Sequence, residues 1–242
     1  MSVDTMVVFV LGYALAMLVL AIVVLRAFVR NLAARSQGQA LRRRLQEWIR
    51  VSGWTRVGAD PSLAQRWEGG PFGIGWSRTV SDVLVGTWAG RPALSFTYAY
   101  TTAAGDDEAL YTWHVLALPL PASLPRLELQ PDSAAVRVAR NAAGHRDIDF
   151  ESDDFNRAWR VESASPVFAH DVIHPRLMQL LMRPDVLGSR LMITGTDIVS
   201  WAVGPTDPDR IAGRLALLSD VIDSVPRYVW QDHGYDPGGA PG

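Results

Sequence analysis

The chain has no cysteine among its 242 residues, which excludes disulfides, thiolate nucleophiles and Cys-ligated zinc. It leaves the redox compartment open. Lysine is missing too, so all 23 basic residues are arginine, set against 25 Asp and Glu for a formal net charge of −2. With that balance no overall basic field points to nucleic acid. The arginine and alanine bias matches a GC-rich genome and implies no mechanism. No internal repeat recurs at a fixed period. Nor is there a GxSxG nucleophile elbow, a Walker loop or a dinucleotide fingerprint.

A further absence is local. Thr5–Leu25, TMVVFVLGYALAMLVLAIVVL, contains no charge. As a helix it would span roughly 31 Å, which matches the hydrocarbon core of a bilayer. The run is longer than the apolar part of a secretory signal, and only Asp4 precedes it as a charge. A buried helix of a globular domain would show a polar face, and none is present. Arg26, Arg30, Arg35, Arg42, Arg43, Arg44 and Arg50 follow. That excess on one side predicts an uncleaved single-pass anchor with the C-terminal domain in the cytoplasm.

The expected organisation is an anchor over 1–30, a juxtamembrane amphipathic helix over 31–53, an α+β domain over 54–231 and a tail over 232–242. The fold class is α+β, with mainly antiparallel sheet and flanking helices. In the second segment Leu41, Leu45, Trp48 and Ile49 fall at i, i+4, i+7 and i+8. Arg42, Arg43 and Arg44 lie around this stripe as candidates for contact with anionic headgroups. Gly53 is the expected stop.

Asp60-Pro61 reads as the cap of a short helix through Trp67. GGPFGIG, Gly69–Gly75, follows a helix rather than a strand and lacks the lysine of a phosphate loop, so it reads as a turn. Val83–Trp88 and Ala93–Thr101 suggest a hairpin closed at Ala89-Gly90, with Phe96, Tyr98 and Tyr100 on one face. Ala103–Glu108 reads as a polar tip and Tyr111–Leu118 as a third strand. PLPASLP, Pro119–Pro125, suggests an irregular connection before a short strand at Leu127 and Leu129. Asp132 is placed to cap a helix through Arg140.

The densest polar cluster is DIDFESDD. Period two puts Asp147, Asp149 and Glu151 on one strand face and Ile148 and Phe150 on the other. Ser152 then caps a helix with Asp153 and Asp154 in its first turn, where they suit the dipole. These five acids are the candidate partner-binding residues. Trp159–Glu162 resumes a strand. In HDVIHP, His170 and His174 have metal-like spacing, but Pro175 disfavours helix at His174. The helix therefore ends near Ile173, a new one runs from Pro175 through Met182, and no metal site or cofactor is expected. Arg190–Thr194 and Ile198–Val203 suggest a second hairpin around Gly195-Thr196-Asp197. Asp207-Pro208 opens the last long helix, striped by Ile211, Leu215, Leu218, Ile222 and Val225. Pro226 closes it.

An N-terminal span, an Arg-rich helix, VLVGTWAGRPALSFTYAY, LPASLPRLEL, FESDDFNRAWRV and HPRLMQLL occur in this order. The chain thereby resembles a group of single-pass membrane-anchored proteins of actinobacteria. The resemblance implies an anchor-plus-domain architecture at a bacterial membrane and carries over no catalytic residue. Two readings of function remain. One is a non-catalytic binding or scaffold module, partnered by the lipid bilayer and a protein at the membrane. The other is a membrane-tethered hydrolase using the acidic cluster with His170 or His114.

Overall fold

The computed structural model describes residues 17, 20, 22, 24–26, 28, 36–105, 107–132, 148–236 and 238. The chain divides into two compact units, Met1–Trp48 and Ile49–Gly242. Helix α1 covers 36–52. Leu45 is buried and Leu41, Trp48 and Ile49 are half-buried, while Arg42, Arg43 and Arg44 are exposed. The apolar stripe is thus the less exposed side of α1. Gly53 follows at φ +73, the left-handed conformation that ends a helix. Among the described residues no helix is long and apolar enough to cross a membrane. Most of Thr5–Leu25 lies outside those residues.

The second unit is built on a six-stranded antiparallel sheet. Its strands are β1 (Thr55–Arg56), β2 (Trp76–Trp88), β3 (Arg91–Ala104), β4 (Asp107–Pro131), β5 (Trp159–Ser163) and β6 (Leu191–Val203). β2 and β3 close at Ala89 and Gly90, whose φ values of 47 and 79 give the left-handed pair that a two-residue hairpin requires. Phe96, Tyr98 and Tyr100 are buried on one face with Val115, Trp201 and Phe72. The aromatic row is therefore sheet core. The 3-10 helix Pro61–Gln65 covers this face with Leu63 and Ala64. It is shorter than the helix through Trp67 expected from the Asp60 cap, although that cap is present, with Asp60 Oδ1 accepting from the Ser62 N–H at 3.0 Å.

On the opposite face lie four helices: α2 (Asp153–Ala158), α3 (Pro166–Val172), α4 (Pro175–Leu181) and α5 (Pro208–Ser224), followed by the short α6 (Arg227–Asp232). α5 packs on β4 and β6, and all five residues of its stripe are buried. Asp207 caps it by accepting from Asp209 N at 3.2 Å.

Two expectations about the sheet also change. Pro119–Pro125 is not an irregular connection, because β4 continues through it to Pro131 and absorbs the strand expected at Leu127 and Leu129. The prolines are tolerated there because register with β3 ends at Ala117 and register with β5 starts at Leu127. On the other side the β6 ladder reaches Pro119 and is irregular from there to Leu124 and again to Leu127, so Pro121 and Pro125 fall in its breaks. The second change concerns 190–203. The Trp201 N–H donates to the Arg190 carbonyl at 3.2 Å. An extended chain of that length would separate them by roughly 36 Å, so the chain reverses at Gly195, where the sequence placed a turn. The arms nevertheless do not pair as a simple hairpin. Both are registered on β4, from Trp113↔Val203 to Leu129↔Leu191. β4 advances from Pro119 to Leu124 while β6 goes only from Asp197 to Gly195, so β4 takes the outer path of the bend. The helix expected over Asp132–Arg140 lies outside the described residues.

Candidate functional site

The acidic segment is not a strand. Asp147 lies outside the described residues, and Ile148–Phe150 has no regular structure. Ladder bonds are replaced by one side chain: Asn156 Oδ1 accepts from the Phe150 N–H at 3.0 Å and its Nδ2 donates to the Phe150 carbonyl at 2.8 Å. With both backbone groups satisfied locally, no strand partner is needed. Phe150 is buried, edge-on to Phe155 at 5.4 Å. Ser152 Oγ accepts from the Phe155 N–H at 3.3 Å and opens α2. Asp149, Glu151, Asp153 and Asp154 are all exposed, and Asp154 pairs with Arg157. The acids form a capped, solvated turn able to meet a basic surface.

His170 lies with its ring centroid 4.8 Å from that of Phe150, so the fold brings it beside the acidic turn. No hydrogen bond joins it to a carboxylate among the described residues. His174 is on the next helix, because α3 ends at Val172 and α4 starts at Pro175. Its Nε2–H donates to the Ser224 carbonyl at 2.8 Å. Among the described residues no group of three His, Asp or Glu is placed to hold a metal.

His114, the other histidine considered for catalysis, is only 1% exposed. The Asp207 N–H donates to its Nδ1 at 3.3 Å, so Nε2 carries the proton and donates to Ser95 Oγ at 2.9 Å. A serine that receives a hydrogen bond in this way is not activated, and both side chains are buried. Burial, together with the charges of Arg214 and Arg210, pushes the imidazole pKa down to about 3. His114 is a neutral core residue rather than a general base.

The structure also gathers residues that the sequence did not single out. Arg210 and Arg214 on α5 line a cleft of about 450 Å³ with Arg183, Asp185, Ser189 and Gly213. Arg183 contacts Asp185 at 3.1 and 2.5 Å and faces Asp220 at 3.9 Å. Arg210 reaches Asp207 at 3.3 Å. Arg214 Nη1 donates to the buried Ser200 hydroxyl at 3.3 Å. Nothing in their spacing marks these residues, because two separate segments, 183–189 and α5, supply them.

A solved structure shares the fold. The crystal structure of the mycobacterial trehalose monomycolate transport factor A, TtfA, is similar with a TM-score of 0.51 over 77% of this chain and 96% of that one. The two are 15% identical, so the similarity is one of fold alone. No family model and no curated protein matches the chain.

Proposed function

We propose that this chain is a membrane-anchored, non-catalytic binding or scaffold module at the inner face of a bacterial membrane. The observation that carries the reading is the charge-free run Thr5–Leu25 followed at once by arginines, which favours anchoring with the domain in the cytoplasm. Four expected segments follow from it, 1–30, 31–53, 54–231 and 232–242. The resemblance to actinobacterial membrane-anchored proteins supports the same architecture. The likeness to TtfA, named as a transport factor, accords with a non-catalytic role.

Within this reading the lipid bilayer is one partner, approached by Arg42, Arg43 and Arg44, all exposed on α1. A protein with a basic surface is the other, meeting Asp147, Asp149, Glu151, Asp153 and Asp154. The four described members of that set are exposed around the Ser152 cap.

The experiment is protease treatment of intact spheroplasts. Protection of the domain before lysis, with cleavage after it, is the expected result. Cleavage before lysis reverses the topology, and release of the chain by carbonate washing removes the anchor.

A further inference from the structure

The cleft between α5 and the 183–189 segment holds a charge left unmatched among the described residues. Arg183 has Asp185 and Asp220, and Arg210 has Asp207. Arg214 has no carboxylate among the described residues, and its hydrogen bond goes to a neutral hydroxyl. Burial first, then Arg210 and Arg190, lower its pKa to about 10, so the folded protein disfavours this charge as it stands. A half-buried guanidinium beside other cations is costly unless an anion sits against it.

Gly213 adds a separate observation. It lies inside α5, where glycine costs roughly 1 kcal/mol relative to alanine. A Cβ there would meet nothing within 4 Å, so close packing does not explain the choice. Its effect is to leave the cleft wall clear immediately beside Arg214.

We infer that this cleft binds a phosphate group, held by the Arg214 guanidinium with Arg210 and the Ser189 hydroxyl at its sides. Phosphate fits better than a single carboxylate. It carries more charge and offers at least three acceptor oxygens, enough for two guanidinium groups and a hydroxyl together. The volume admits the group and part of the molecule that bears it. The site stands whether or not the chain is anchored. It can take phosphate from a soluble metabolite or from a lipid headgroup.

The test uses the full chain in neutral detergent, with inorganic phosphate followed by calorimetry at fixed ionic strength and citrate as the carboxylate control. A second arm measures binding to phosphatidylcholine vesicles with and without phosphatidic acid. Saturable phosphate binding should weaken about tenfold or more in Arg214→Gln, a loss of about 1.4 kcal/mol. Gly213→Leu fills the cleft from an open position and should weaken it similarly, which keeps the test decisive if Arg214→Gln fails to fold. Binding to phosphatidic acid but not inorganic phosphate, lost in the same variants, identifies a headgroup as the source. Binding of citrate alone, equal binding by wild type and Gly213→Leu, or no binding of either phosphate probe overturns the inference.

Discussion

Arg66 and Asp197, 131 residues apart, are joined by two hydrogen bonds of 3.1 and 3.0 Å. Trp67 Nε1 donates to the same carboxylate at 3.0 Å. The contact fastens the chain just after the 3-10 helix Pro61–Gln65 to the bend of β6. Asp197 is 6% exposed and so depends on these donors. Asp197→Ala leaves the buried indole N–H unpaired, while the half-exposed Arg66 can turn to water. The expected loss is about 1–3 kcal/mol, read from urea unfolding. A loss below about 0.5 kcal/mol, typical of surface changes, would show that the bend holds without this pair.

His114 sets an acid limit on stability. Its folded pKa, about 3, lies below its ordinary value of 6.5, so the unfolded chain binds the proton more readily. Stability from this group is full above about pH 6.5 and is lost as pH falls toward 3. The upper bound is about 5 kcal/mol across that window. Melting temperature should decline through the window, and His114→Gln should flatten the decline between pH 6.5 and 4.5. A profile equally steep in the variant would assign the acid sensitivity to carboxylates instead.

Phe150 and the acids beside it should respond in opposite ways. Phe150→Ala empties a site against Phe155 and His170 and should cost roughly 3–5 kcal/mol. Asp149→Asn with Glu151→Gln should change stability by no more than about 0.5 kcal/mol, as for exposed positions. If the turn docks a basic partner, the double variant should recover less protein from solubilised membranes, most clearly at low salt. Unchanged recovery with an unchanged melt would leave the turn as solvated surface alone.

The arginines of α1 should matter for lipid and little for folding. In a fragment beginning at Gln39, changing Arg42, Arg43 and Arg44 to Ala should keep the melt and reduce sedimentation with anionic vesicles. Each arginine near the surface contributes about 1 kcal/mol at most, less as salt rises. A fragment unfolded by the triple change would place these residues in the packing of the helix.

Short-range signals in the sequence determined the elements whose cause is local. The caps at Asp60, Ser152 and Asp207 are present because a side chain satisfies an N–H two or three residues on. Pro175 separates α3 from α4 through a clash with its immediate neighbour. The Ala89-Gly90 turn and the stripe of α5 follow from backbone freedom and helical period. Tertiary structure decided everything that depended on a partner distant in sequence. The alternation of DIDFE predicted a strand, yet alternation gives a face and not a ladder; no distant strand pairs with Phe150 among the described residues, and Asn156, six residues on, takes its backbone bonds. Pro119–Pro125 joined β4 because the β3 and β5 ladders end on either side of it and the β6 ladder is irregular across it, which no local pattern encodes. The turn expected at Gly195-Thr196-Asp197 is instead a bend within one continuous strand, because both halves of β6 take their register from β4. The arginine cleft was illegible for the same reason: an unmatched charge is defined by which carboxylates come near it in space, and only the packing of α5 against the 183–189 segment settles that.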